Sequence, residues 1–404
     1  MDKENYSANL INPEKMRDIN EDIVEKNNIE HTTIIYDKRL YQDGQKMKAI
    51  ELCSRCEPLT LIHGPPGTGK TTTLAAAVLS AVANGEKVLV VAPSHAACDA
   101  FTLALAKQWP RSIEKSFVRL GNSLRFTSED VALYSTDKIS PSAKLEDLQD
   151  QLFHVRNQLL DNSCKGKGSV MLEEKYLTRE YWTEGKENEK KVIKSSSVVI
   201  TTIMHATSLI KYFKEKEFDL FVIDEAGFTP ASSTLPLISW APRLLLAGDH
   251  HQLPPVVLTQ EAKLLGLDIS LFEMLAGKMK DQICMLETQY RSHNMIAGWS
   301  SQHFYKNRLV SADIVSKILV QDLIKLSNKR GNILTASPLL LLDTSGLDWT
   351  EEAEDEESIS NPDEAVLVAE LVEKYLQMGV LQSDIGVIAP YWSQISLIRS
   401  NIGN

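Results

Sequence analysis

Gly64-Pro65-Pro66-Gly67-Thr68-Gly69-Lys70-Thr71-Thr72, GPPGTGKTT, is the stretch around which the rest of the chain is read. Gly64, Gly69, Lys70 and Thr71 take the fixed positions of the pattern G-x-x-x-x-G-K-[ST], a loop whose backbone N–H groups turn inward onto phosphate oxygens. Glycine permits those turns because it has no Cβ. Lys70 can reach the β- and γ-phosphates of a nucleotide, and the Thr71 hydroxyl can ligate Mg²⁺. Before the loop, Leu59-Thr60-Leu61-Ile62-His63 is a short apolar run of strand type. After it, Thr72 to Val82 (TTLAAAVLSAV) is built of helix formers. Strand, glycine loop and helix together are the context this motif requires.

Outward from the loop, residues 41–275 alternate apolar strand-like runs with helical stretches, an α/β pattern. The runs are Leu59–His63, Val88–Ala92, Val198–Thr202, Leu220–Asp224 and Leu244–Ala247. Several are apolar throughout, as parallel strands covered on both faces are. Between them Leu145, Leu148, Leu152, Val155 and Leu159 recur at spacings of three and four. This seam, a Gly/Lys-rich break (Cys164–Gly168) and a charged helical stretch from Met171 to Lys194 predict an antiparallel helical hairpin inserted at about 143–194. Residues 276–404 read as the start of a second α/β set, with Leu339–Leu342, a helix over Asp363–Met378 and Ile385–Ala389. Residues 1–40 are a polar lead-in.

The chain has 404 residues, 43% hydrophobic and 24% charged, the composition of an ordinary globular protein of two domains. No apolar run approaches a membrane span, and Met1–Lys15 reads as no secretory signal. Five cysteines form a sparse, odd set that suits a reducing compartment, cytosol or nucleus. Cys53 and Cys56 make a lone C-x-x-C, read as core or surface thiols rather than a zinc site. The net charge of −11 argues weakly against a nucleic-acid partner. Six of those negatives lie in Glu351–Glu357, a solvated loop in this reading, so a basic groove elsewhere is compatible with the total.

Three further segments carry chemistry. Phe221-Val222-Ile223-Asp224-Glu225 is an apolar strand ending in two carboxylates: Asp224 suits a Mg²⁺ shell and Glu225 the base that deprotonates an attacking water. Gly248–Pro255 (GDHHQLPP) follows another buried strand, and Gln252 could bond a γ-phosphate or its attacking water. His250 and His251 in that loop read as bystanders rather than metal ligands. Gln289-Tyr290-Arg291 opens the second set: Arg291 suits an arginine finger, and Tyr290 could stack on an adenine.

Together GPPGTGKTT, APSHAACD (Ala92–Asp99), VIDEAG (Val222–Gly227), GDHHQLPP and QYRSH (Gln289–His293) resemble the superfamily 1 helicases. The resemblance is strongest to the group of the up-frameshift RNA helicase, senataxin and the immunoglobulin-mu-binding-protein helicase, the last most of all. It extends to RLG (Arg119–Gly121), LLDTSG (Leu341–Gly346), NPDEA (Asn361–Ala365) and IGVIAPYWSQ (Ile385–Gln394), and so covers residues 41–404. It implies a P-loop, RecA-like parallel-sheet domain with the helical insertion, then a second RecA-like domain. It also implies ATP with Mg²⁺ as cofactors and 5′-to-3′ movement on single-stranded RNA or DNA. By motif, Gln45 would read the adenine and Tyr290 stack on it. Gly64, Pro65, Pro66, Gly67, Thr68, Gly69, Lys70, Thr71 and Thr72 would cradle the phosphates. Lys70, Asp224, Glu225, Gln252 and Arg291 would be catalytic, with Thr71 and Asp224 at the metal. Pro93, Ser94, His95, Thr201 and Thr202, with Pro390 and Tyr391 of the second domain, would track the strand backbone.

The sequence departs from the family at His95, where Asn is usual, and in YQDGQ (Tyr41–Gln45), a loose adenine-reading segment. The last two motifs of the second domain are not present, so that domain is expected to be incomplete here, and a second chain supplying its strands is a partner this reading allows. Two readings stay open. One is an ATP-dependent helicase or translocase; the other is a non-catalytic, nucleotide-dependent nucleic-acid-binding or regulatory fragment. A P-loop kinase fits poorly, because Glu225 and Gln252 suit attack by water.

Overall fold

The computed structural model describes residues 35, 40, 42–55, 57–110, 116–121, 125–160, 167–210, 217–238, 240, 242–279, 283–324, 332–353 and 358–403. Most of the expected lead-in, Tyr41, Cys56, Cys164 and the acidic residues 354–357 lie outside that set. The chain forms two compact units, Met1–Glu287 and Thr288–Asn404.

In the first unit, α1 (Gly44–Ser54) precedes β1 (Leu59–His63), and α2 (Lys70–Ala83) follows the glycine loop. Then come β2 (Val88–Ala92), α3 (His95–Gln108) and β3 (Phe117–Arg119). The inserted helices are α4 (Ala143–Leu160) and α5 (Lys167–Ser195). After them run β4 (Val198–Thr202), α6 (Ile203–Leu209), β5 (Leu220–Ile223), β6 (Leu244–Gly248), α7 (Leu271–Lys278) and β7 (Ile283–Met285). All seven strands form one parallel sheet in the order β3-β4-β2-β5-β6-β1-β7. The boundary between units falls after the expected 275/276 because β7 pairs with β1 and closes that edge of the first sheet.

The apolar runs are strands because each has two faces to bury. Along β2, Val88, Val90 and Ala92 pack in one layer with α1, α2 and α3, through Cys53, Leu74, Val78, Phe101 and Leu105. Leu89 and Val91 point to the opposite layer with Ile203 and Leu209 of α6 and Phe272 and Leu275 of α7. This period-two split explains why the strands read as unbroken hydrophobic runs. Two strands were not legible in advance, β3 and β7, each three residues long. β3 is the edge strand and ends in Arg119, a residue type that normally argues against a buried strand position.

The hairpin forms on the predicted seam. Leu148, Leu152 and Val155 of α4 and Leu177 of α5 bury one another, and Lys144–Glu184 (2.7 Å) and Arg156–Glu174 (2.9 Å) flank them. Buried Asn188 fastens the base, accepting from the Ser140 hydroxyl at 3.0 Å and donating to the Ser140 carbonyl at 2.9 Å.

The second unit holds α8 (Asn294–Phe304), α9 (Pro362–Gln377), α10 (Trp392–Ile402) and two-residue strands pairing Thr288–Gln289 with Val310–Ser311 and Glu352–Ala353 with Ile359–Ser360. The predicted helix near 363–378 is α9, started by Asn361, whose side chain accepts from the Glu364 N–H. Leu339–Leu342 and Ile385–Ala389, read as strand-like, form no ladder with the described residues. Leu341 and Ile388 are almost wholly exposed. A strand exists only by pairing, and apolar content alone does not supply a neighbour.

The hairpin core is small, so its loss is local. Leu152→Ala is expected to cost the hairpin about 2–5 kcal/mol. Amide hydrogen exchange should quicken across residues 143–195 while the amides of β1, β2 and β5 keep their protection.

Candidate functional site

The parallel register brings the loops that follow β1, β5 and β6 to one edge of the sheet. Gly64 donates its N–H to the Gly248 carbonyl at 3.0 Å, joining the glycine loop to the GDHHQLPP loop. Gly227 and Gly248 meet back to back. A Cβ on Gly227 would lie 2.6 Å from the Asp249 carbonyl oxygen, and one on Gly248 would lie 2.7 Å from the Gly227 nitrogen. These glycines are there for close approach rather than for torsional freedom.

The glycine loop is braced by its own atoms. The Thr68 hydroxyl donates to the Pro65 carbonyl at 2.8 Å. Gly67 and Gly69 adopt φ of 77° and 79°. Gly69 caps α2 without any side-chain acceptor, so the first N–H groups of the helix are left to whatever enters the loop. Buried Lys70 lies across Gly64, where a Cβ would meet its side chain at 2.7 Å. Pro66 and Thr72 are half-buried at the rim. Uncapped amides, a glycine cradle and a lysine over it fit a chain of phosphates.

At the end of β5, the Thr71 hydroxyl donates to Asp224 Oδ2 at 3.2 Å. Lys70 Nζ pairs with Glu225 Oε2 at 2.7 Å. Glu225 adopts φ 54°, and its N–H donates to Asp224 Oδ1 at 2.9 Å. Burial pushes the Asp224 carboxyl up to about 6, an effect opposed by Lys70 and reinforced by Glu225. A cation beside Asp224 would reverse that shift.

Asp249 organises the third loop, a role the sequence reading did not assign. Its Oδ1 accepts from the His251 N–H at 3.0 Å and lies 2.9 Å from His63 Nε2, and its Oδ2 accepts from Gln252 Nε2 at 2.8 Å. Gln252 is thus held by its amide nitrogen, leaving its carbonyl oxygen to point elsewhere. His63, Asp249 and His250 lie close enough to have metal-ligand spacing, yet both Asp249 oxygens already serve hydrogen bonds. Lys46 was also missed. This buried lysine of α1 pairs with Asp43 at 3.5 Å and reaches within 3.3 Å of a Cβ placed on Gly69. Gln45 sits half-buried on the first turn of the same helix, which packs on α2.

A second cluster lies at the ends of β2 and β4, where the ladder sets Ala92 beside Thr202. Pro93 follows, exposed Ser94 caps α3, and half-buried His95 begins that helix. Thr202 caps α6. Thr201 is wholly buried, with its hydroxyl against the Leu120 carbonyl and 3.1 Å from His205 Nδ1. Any part it takes in binding a strand is therefore indirect.

In the second unit, buried Gln289 shapes the loop that carries Tyr290 and Arg291. Its Oε1 accepts the N–H groups of Arg291 (2.7 Å) and Ser292 (2.9 Å), and its Nε2 donates to the Ser292 carbonyl and the Ser311 hydroxyl, each at 2.6 Å. Tyr290 and Arg291 are left exposed. Pro390 and Tyr391 are exposed just before α10.

A parallel sheet of this order with a phosphate-cradling loop and a paired-carboxylate strand end defines a P-loop, RecA-like α/β domain. The family is shown by comparison: an AAA domain model matches residues 42–260, a second AAA domain model matches residues 267–404, and the chain belongs to this helicase family of superfamily 1. DNA-binding protein SMUBP-2 of Mus musculus is 37% identical over 379 residues, 90% of this chain and 36% of that protein. DNA polymerase alpha-associated DNA helicase A of Schizosaccharomyces pombe is 31% identical over 374 residues, 88% of this chain and 54% of that protein. An uncharacterized ATP-dependent helicase of Methanocaldococcus jannaschii is 29% identical over 407 residues, 90% of this chain and 59% of that protein. The chain thus spans about a third to three-fifths of the length of these relatives. Among the described residues no helix is long and apolar enough to cross a membrane.

Folding keeps His250 neutral. Burial, then the neighbouring rings of His251 and His63, lower its pKa from 6.5 to about 4, with Asp249 opposing. The unfolded chain takes up this proton below about 6.5 while the native protein does not, so stability falls as pH drops from 6.5 towards 4. With the ring partly exposed, His250→Gln should recover roughly 1 kcal/mol at pH 5 relative to pH 7.5. Urea unfolding of both proteins at the two pH values measures it.

Proposed function

We propose that this chain couples ATP hydrolysis to movement along single-stranded RNA or DNA. The observation that carries the reading is the convergence of Lys70 and Thr71 with Glu225 and Asp224, at 2.7 and 3.2 Å, beside an uncapped helix start. Residues Gly64 to Thr72 hold the phosphate chain, with Lys70 on its outer phosphates. Gln45 takes the adenine, and Tyr290, exposed on the second unit, is a ring suited to stacking on a base. Thr71 and Asp224 hold Mg²⁺, which when bound neutralises charge on the phosphates. Glu225 takes the proton of the attacking water, and Gln252, steadied by Asp249, reports the state of the terminal phosphate. Arg291 supplies a positive charge for the transition state. Ser94, His95 and Thr202, with Pro93 and Thr201 behind them, contact the backbone of the strand, and Pro390 and Tyr391 do so from the second unit. Contacts of this kind are largely independent of base sequence. The relatives, a protein named as DNA-binding and two named as helicases, support the reading. A place in the cytoplasm or nucleus is part of this reading, in keeping with the sparse, odd set of cysteines.

Turnover of ATP, measured with and without oligouridylate or oligothymidylate, tests this. Strand-stimulated hydrolysis that Lys70→Ala removes is the expected result. Glu225→Gln should keep ATP binding yet lose about 10²–10⁴-fold in hydrolysis, the worth of a positioned general base. ATP binding without any turnover in the unaltered chain would replace this reading with that of a nucleotide-dependent clamp.

A further inference from the structure

Arg119 is wholly buried, which is rare for a guanidinium. It lies at the end of β3, beneath the edge where β2 and β4 end. Its Nε donates to Asp99 Oδ1 at 2.8 Å, and its Nη1 donates to the Leu120 carbonyl. Its plane carries Phe126, 5.0 Å from centre to ring. The other Asp99 oxygen accepts the Thr127 N–H at 2.8 Å. The remaining arm, Nη2, reaches His95 Nδ1 at 3.0 Å.

That last contact has a chemical consequence. A guanidinium only donates, so the atom facing it must accept. Nδ1 of His95 therefore carries a lone pair, and a neutral ring places its one proton on Nε2. A doubly protonated ring would set N–H against N–H and cation against cation at 3.0 Å. The groups that face the ring agree. Burial, then Arg119 and Arg125, hold His95 below the usual imidazole range, His205 adds slightly, and only Asp99 opposes. Nε2 has no partner among the described residues.

We propose that the buried Arg119–Asp99 pair fixes His95 as a neutral ring protonated on Nε2 alone, so that it meets a nucleic-acid phosphate as one uncharged N–H donor. Arg119 and Asp99 are positioning residues. The inference rests on the reading above in which His95 contacts the strand, but its first half concerns the free protein. It separates this contact from the lysine and arginine contacts that make strand binding steeply salt-dependent, since an uncharged donor displaces no counterion. It also makes the contact indifferent to pH in the range where an ordinary histidine would gain charge.

The full chain labelled with ¹⁵N-histidine, followed by long-range ¹H–¹⁵N correlation from pH 8 to 5.5, tests the first half, with His95 assigned through His95→Asn. The expected result is a neutral ring protonated on Nε2 throughout, whereas an ordinary imidazole would be roughly nine-tenths protonated at pH 5.5. A proton on Nδ1, or a charged ring at pH 6, overturns the inference. The double variant Arg119→Met, Asp99→Leu removes both charges together and avoids stranding one. In it the ring should take up a proton at higher pH than in the unaltered protein, with burial and Arg125 still holding it below a free imidazole, and fluorescein-labelled oligouridylate and oligothymidylate should bind more tightly at pH 5.5 than at pH 8, relative to the unaltered chain. A titration unchanged from the unaltered protein overturns the role of the pair. The wild-type spectrum decides the tautomer even where the double variant fails to fold. His95→Ala should weaken binding of both oligonucleotides; unchanged binding beside the Nε2 tautomer would overturn the strand contact while leaving the ring's state established.

Discussion

The site depends on one ladder. β1 pairs with β6 in parallel from Leu59 against Leu244 to His63 against Gly248, so the two strands end level. The glycine loop and the GDHHQLPP loop therefore start side by side. A shift of one residue would turn the alternating core residues of β1 to the wrong layer, because the side-chain period is two. With both layers filled, by Ile62 on one side and Leu61 on the other, slippage is costly. Two cross-loop hydrogen bonds then tie the ends, Gly64 to Gly248 and His63 to Asp249. The chemistry inherits its precision from packing beneath it, not from the loops themselves.

Much of this was legible because its causes are local. The glycine loop announces itself through backbone needs that few residues meet. The buried strands are long enough for their apolar runs to stand out, and the hairpin shows through a seam of leucines spaced three and four apart. What escaped notice depends on distant partners. Asp249 looks like an ordinary loop acid until β1 brings His63 beside it. Arg119 looks like a surface residue until Asp99, twenty positions earlier, is found against it. Gln289 reads as part of a tripeptide whose neighbours attract attention, yet it shapes the loop that displays them. Leu339–Leu342 and Ile385–Ala389 erred the other way, since hydrophobic content marks the capacity for a strand and pairing makes one.

The buried polar groups follow a common rule. Asp249, Arg119 and Gln289 each sit one step behind an exposed or half-buried residue of the proposed site: Gln252, His95 and Arg291. Each uses several hydrogen bonds to fix a loop whose tip remains available. Asp249 accepts three times, Arg119 donates three times, and Gln289 uses both ends of its amide. Burying such groups unpaired would be destabilising, so their full pairing both tolerates the burial and removes rotamer freedom from the loop. Preorganisation of this kind lowers the ordering cost that binding would otherwise meet.

The Lys70–Glu225 pair is the exception, because it joins two residues that both have other work in the proposed reaction. At 2.7 Å the lysine neutralises the carboxylate that would act as base. A phosphate chain entering the loop competes for that lysine with more charge and more acceptor oxygens than a single carboxylate offers. Glu225 would then be released at the moment substrate arrives. Its backbone is already committed, at φ 54° with its N–H on Asp224, so release changes only the side chain. That conformation costs of order 1–3 kcal/mol for a non-glycine residue and persists only where surrounding structure imposes it. Here the imposition comes from β5 below and from Gly227 against Asp249 above. The same contacts that align the loops hold Glu225 in a strained turn, so its backbone keeps its place whether or not the lysine holds its carboxylate.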